Sequence, residues 1–195
     1  MHPYLNQFEA VIFDMDGTLI DTMPAHMIGW QKTGEVHGFP YDADWHYSLG
    51  GVPTLGTAKL IVERYKLDLD PQLLAKTKKD LWEKLKTEPV VFAETFAVFK
   101  DLLGQKPVAV GTGSEKNHAI EVLGETGILE NLNALVTADD VENGKPHPET
   151  FLKAAQQMGV NPANCVVFED TQIGRQAALD AGMQCILVVD GKIQW

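Results

Sequence analysis

Apolar residues in this chain gather into short, almost unbroken runs, and stretches of helical period separate them. The first run, 8–13 (FEAVIF), has the nearly continuous apolar character of a parallel strand buried on both faces. Runs at 108–110, 134–137, 165–168 and 185–189 resemble it, with helical patterns at 115–124, 150–158 and 174–181 between them. Strand and helix in alternation predict an α/β fold with a doubly wound, mostly parallel sheet.

Residues 24–89 break that alternation. Helical patterns at 24–37, 54–65 and 71–86 follow one another without a buried strand. Pro53 and Pro71 stand near helix starts, and Asp70 is placed to cap the helix that Pro71 opens. The expected organisation is an α/β core of 1–21 and 90–195, with an all-helical unit, 22–89, inserted after the first strand. A length of 195 residues suits one core with a modest insertion better than two full domains.

Composition narrows the partners. A hydrophobic content of 45% is ample for a core, and a formal net charge of -11 disfavours nucleic acid and anionic membranes. Cys165 and Cys185 lie inside apolar runs, so two reduced core thiols are expected, with no disulfide or metal role. No signal peptide, membrane span or lipidation motif is apparent, so a cytoplasmic location is expected, together with a monomeric state. The acidic balance also means that any bound phosphate needs a local cation or metal.

Ligands of open parallel sheets bind beyond the carboxyl ends of the strands, so the residues after each run are the informative ones. The first run ends in Asp14-Met15-Asp16-Gly17-Thr18. Two carboxylates two residues apart point the same way on an extended chain, and Gly17 permits a sharp departure. Two solvated loop acids share this spelling, whereas a calcium-binding EF-hand would place its glycine sixth in the loop, not fourth. The second run leads through Gly111-Thr112-Gly113-Ser114 into a helix, where a hydroxyl and free N–H groups can hold a phosphate oxygen. Ser and Thr are also ordinary helix caps, and the lysine and spacing of a P-loop are missing.

Beyond the third run, Asn143-Gly144-Lys145-Pro146-His147-Pro148 sets a lysine among turn formers, a place where solvated lysines are common. Glu169-Asp170 follows the fourth run directly, and paired acids ending a buried strand are costly unless a cation or donors compensate them. Taken in order, a carboxylate pair, a hydroxyl, a lysine and a second carboxylate pair follow four core strands and can converge on one rim.

In that order, FDMDGT, GTGS, the Lys145-Pro146 loop and FED resemble the four motifs of the haloacid dehalogenase superfamily over essentially the whole chain. The resemblance implies a Rossmann-like core with an inserted helical cap. Asp21-Thr22, Leu49-Gly50-Gly51 and Gly174-Arg175-Gln176-Ala177-Ala178 further resemble the β-phosphoglucomutase-like subgroup. Within that subgroup, VAVGTGSE and MGVNPANCVVFED are similar to bacterial phosphatases acting on fructose 1-phosphate and related sugar phosphates.

What the resemblance implies is a phosphohydrolase acting on a small phosphorylated metabolite, with Asp14 as nucleophile and Asp16 as general acid and base. Mg²⁺ would be held by the Asp14 carboxylate, the Asp16 backbone carbonyl and Asp170, with Glu169 a further ligand or a neighbour of the ligands. Lys145 and Thr112, with the Gly113 N–H, would stabilise the transferring phosphoryl group, beside Ser114.

Cap positions matching the subgroup's substrate contacts include His26, Trp30, Gly50, Gly51, Thr54 and Lys78, although the spacing of His26 and Trp30 equally suits packing. Mutases of the subgroup hold a second phosphate with basic residues, whereas the matching Gly50, Thr54 and Glu115 carry no positive charge. Hydrolysis is therefore expected ahead of a hexose-phosphate mutase. A catalytically silent metabolite binder is a third reading, opposed by the intact Asp14, Asp16, Thr112, Lys145 and Asp170, and a dehalogenase is the most distant. His118 and His147 lie near these loops and are expected at ordinary surface positions.

Overall fold

The computed structural model describes residues 2–82, 84–85 and 88–195. Its helices are α1 (Met23–His37), α2 (Ala43–Ser48), α3 (Thr54–Tyr65), α4 (Pro71–Trp82), α5 (Ala93–Leu102), α6 (Lys116–Glu125), α7 (Glu149–Met158) and α8 (Gln172–Asp180). Strands β1 (Ala10–Phe13), β2 (Val108–Gly111), β3 (Ala134–Val136), β4 (Cys165–Glu169), β5 (Gln184–Val189) and β6 (Lys192–Ile193) form one sheet among the described residues. Its order is β3-β2-β1-β4-β5-β6, parallel throughout except for the closing β5–β6 hairpin.

Side-chain alternation along β1 explains why the sheet is covered on both faces. Val11 and Phe13 join Val110, Val166 and Phe168 on one face, beneath α5 and α6. Phe13 pairs in register with Phe168, their rings stacked at 4.8 Å, and Phe99 of α5 meets Phe13 edge-on at 6.3 Å. Burying each such ring contributes about 2 kcal/mol. Ala10 and Ile12 face the other way, toward α7 and α8, whose Ala154, Ala155, Ala177 and Ala178 let the helices settle close to the strands. This is the doubly wound α/β core expected from the pattern.

Helices α1–α4 come between β1 and α5 and have a core of their own, built on Trp30, Phe39, Ala58, Ile61 and Leu74. The start of α4 matches expectation: Pro71 opens it, and the Asp70 carboxylate accepts the Gln72 N–H at 2.9 Å. Lys86, the expected end of that helix, lies outside the described residues. Helices α2 and α5 and strand β6 are additions to the expected set. Strand β6 has two residues and α2 has six, too few to establish a period. No helix among the described residues is long and apolar enough to cross a membrane.

Candidate active site

The sheet ladder continues one residue beyond β1, because the Asp14 N–H donates to the Phe168 carbonyl at 2.9 Å. That bond fixes the base of the Asp14 side chain at the rim. Lys145 Nζ lies 2.6 Å from Asp14 Oδ1 and 2.9 Å from Glu169 Oε1, and all three side chains are buried. Burial works against the lysine's charge, but Asp14 and Glu169 overcome it and hold the ammonium above its ordinary pKa. Asp14 itself is pushed well above the usual carboxylate range, first by burial; Lys145 offsets part of this, while Glu169, Asp170 and Asp16 add repulsion.

Asp170 completes the acidic cluster, and burial and Glu169 push it up to about 7. One oxygen each from Asp14, Glu169 and Asp170 lies within 4.8 Å of the others. Glu169 already uses both its oxygens, one on Lys145 and the other on the Thr171 N–H (2.5 Å) and hydroxyl (2.9 Å). Asp14 Oδ2 and Asp170 Oδ2, by contrast, are buried with no hydrogen-bond partner. Two orphaned carboxylate oxygens in a cluster where one ammonium faces three acids fit a hard divalent cation. Gly17 closes the loop beside them with φ +81°, and a Cβ there would lie 2.3 Å from Asp170 Oδ2. Backbone and contact both require glycine.

Asp16 points to the other side of the rim. It accepts from Ser114 Oγ (2.6 Å), Thr112 Oγ1 (3.3 Å) and the Thr22 hydroxyl, and His26 Nε2 stands 3.6 Å away. Burial would raise its pKa, but the neighbouring His26, His118 and Ser114 outweigh burial and hold the carboxyl below its usual range. Lys78 Nζ lies 2.8 Å from His26 Nδ1. An ammonium only donates, so Nδ1 accepts and the imidazole proton sits on Nε2, facing Asp16. Burial lowers Lys78 to about 8, leaving it mostly charged at neutral pH.

The inserted helices rest closed on this rim. A Cβ on Gly113 would come 2.3 Å from the Gly51 carbonyl oxygen, and one on Gly144 would come 2.7 Å from Pro53 Cγ. Between the two units lies a cavity of about 50 Å³, lined by Asp16, His26, Trp30, His46, Gly51 and Ser114. A second, of about 150 Å³, is lined by His26, Thr54, Lys78, Trp82, Ser114 and His118. The candidate catalytic, metal-binding and substrate-binding residues therefore border the rim or these cavities. Trp30 fits both readings of its spacing, since it packs in the helical core and lines the smaller cavity.

His147 is at the surface, its side chain 52% exposed. His118 departs from expectation: both its ring nitrogens are buried, and it packs edge-on against Trp82 at 4.3 Å. Helix α4 brings Trp82 over α6 from a distant part of the chain, so no local pattern announces the contact. His46 and Trp82 escape sequence reading for the same reason, whereas Thr22 stood in view beside Asp21.

The sequence profile of haloacid dehalogenase-like hydrolases matches residues 8–182. The fructose-1-phosphate phosphatase YqaB of Escherichia coli is 41% identical over 180 residues, which cover 92% of this chain and 96% of that protein. A phosphorylated carbohydrates phosphatase of Thermotoga maritima is 32% identical over 204 residues, covering 94% of this chain and 88% of that one. The crystal structure of a β-phosphoglucomutase from Clostridium difficile matches with a TM-score of 0.81 at 28% identity, covering 93% of this chain and 84% of that one.

Proposed function

Since this chain belongs to the haloacid dehalogenase-like hydrolase family, we propose that it is a phosphatase of small sugar-phosphate monoesters, with fructose 1-phosphate the first candidate. The observation that carries this reading is the Asp14 carboxylate, fixed at the strand end with one oxygen on Lys145 and the other unpartnered. Asp14 attacks phosphorus, the bond to the leaving oxygen breaks, and Asp16 gives that oxygen a proton. Water then attacks the aspartyl-phosphate as Asp16 takes a proton back. Asp16 is held ionised in the ligand-free protein, and an arriving phosphate dianion shifts it toward the protonated form.

Lys145, Thr112 and the Gly113 N–H meet the transferring phosphoryl group. Asp14, Asp170 and the Asp16 carbonyl are the groups to hold Mg²⁺, which when bound supplies charge neutralisation at the phosphoryl oxygens. Glu169, with both oxygens engaged, positions Lys145. Residues 22–89 act as the closing unit, with His26, Trp30, Gly51, Thr54, Lys78 and Ser114 toward the leaving group.

Among the described residues, Lys78 and Lys79 are the cations bordering the two cavities; Lys78 lies against His26, and Lys79 pairs with Glu115 at 2.5 Å. Glu115 offsets Lys79, so a second phosphate dianion meets one further ammonium, Lys78, which is less than it needs and favours hydrolysis over a mutase. The test is a panel of hexose phosphates assayed for phosphate and for isomers. Phosphate release is expected to vanish on chelation and return with Mg²⁺, which should also raise the melting temperature by binding the native state. Isomer formation without net phosphate would overturn the proposal.

Closure itself is testable at Gly113, which is not among the left-handed glycines and so tolerates a Cβ in its backbone. Gly113→Ala pushes on the Gly51 carbonyl and is expected to raise KM about tenfold or more. The melting temperature should move by only a few degrees. An unchanged KM means that the closed contact plays no part in turnover.

A further inference from the structure

We propose that His118 and Trp82 recognise an uncharged hydroxyl of the leaving group and so determine specificity; this rests on the sugar-phosphate reading above. Three buried nitrogens around the larger cavity lack hydrogen-bond partners, Trp82 Nε1 and both ring nitrogens of His118, while His26 Nε2 faces Asp16. Buried polar atoms are normally paired, so three orphans at one cavity mark a place where a ligand supplies the partners. The rings are held in place by one another, His118 edge-on to Trp82 at 4.3 Å and His26 against Trp82 at 5.7 Å.

The kind of partner follows from the chemistry of these groups. An indole N–H only donates, and a neutral imidazole offers one donor and one acceptor. Burial lowers the pKa of His118, which keeps it neutral at neutral pH. Glu115 and Glu121 line the cavity together with Lys78 and Lys79, so its charged lining balances and draws an uncharged group as readily as an ion. A hydroxyl, donor and acceptor at once, matches all of these. Asp16 lines the smaller cavity, and His26, Thr54 and Ser114 line both, so a leaving group protonated by Asp16 reaches this cavity past His26. Asp16, His26 and His118 also have the composition of a metal site, but the Lys78 ammonium against His26 opposes a second cation.

The experiment compares kcat/KM for fructose 1-phosphate with that for p-nitrophenyl phosphate, whose leaving group has no sugar hydroxyls. Wild type is expected to favour the sugar phosphate. His118→Phe should lower that preference at least tenfold, mainly through KM for the sugar phosphate, and His118→Gln, which restores a donor and an acceptor, should recover most of it. A merely structural role would lower both substrates together and leave the ratio intact. An unchanged ratio in His118→Phe overturns this inference and leaves the phosphatase reading standing. A wild type that hydrolyses p-nitrophenyl phosphate but favours no sugar phosphate overturns both. Trp82→Phe keeps a ring, removes the N–H and supplies the same comparison if His118→Phe does not fold.

Discussion

Asp14→Asn is expected to leave a folded protein whose phosphate release falls by about a thousandfold or more. The substitution keeps the volume of the side chain and an oxygen for Lys145 to donate to, but an amide is a poor nucleophile. Its effect on stability runs the opposite way from its effect on turnover. Burial raises the Asp14 pKa in the folded protein above its unfolded value. At pH values between those two, the folded state holds a proton that the unfolded chain has released. Stability from this group is therefore present at low pH and lost as pH rises through the folded pKa. Above its unfolded pKa the group therefore weighs against folding, and the neutral amide removes that penalty. Without metal, the variant should melt at or above the wild-type temperature. Phosphate release measured beside thermal melts checks both halves, and wild-type turnover in the variant would remove Asp14 from the chemistry.

Lys145→Met should fail in both respects. It removes the ammonium that two buried carboxylates share and leaves Asp14, Glu169 and Asp170 with no cation among them. Breaking a buried pair from one side costs about 3–5 kcal/mol, because the stranded charges remain desolvated. For a chain of this size that corresponds to a melting temperature lower by roughly 6–20 °C. Turnover should fall in parallel, since the proposed mechanism sets the same ammonium against the transferring group. Adding Asp14→Asn to Lys145→Met separates the two effects: stability should partly return while activity stays absent. Strictly additive melting shifts in the double variant would mean that the pair is not coupled.

The contrast between these variants arises from one buried cluster that is poorly balanced until a cation joins it. Asp14 Oδ2 and Asp170 Oδ2 are left unpaired in a protein that elsewhere satisfies Glu169 at both oxygens. Such an arrangement costs stability in return for a place where charge can be bound.

Much of this site is legible without coordinates. A central parallel strand reads as an apolar run, and whatever follows its carboxyl end stands at the same edge of the sheet as its neighbours. The Asp14–Asp16 pair, Thr112, Lys145 and the Glu169–Asp170 pair could thus be placed on one rim from their order alone. Strand β6 and helix α2 were hidden by shortness, and His118 by its dependence on Trp82.

By itself the sequence determines which chemical groups follow the core strands, because strand period and the order of the motifs along the chain are written in consecutive residues. Tertiary structure alone decides how those groups are paired. Lys145 reaches Asp14 across 131 residues, and Glu169 is spent on Lys145 and Thr171. Helix α4 turns His118 from a surface residue into part of a cavity wall. Each of these depends on the distance between elements far apart in the chain, and no local period encodes that distance.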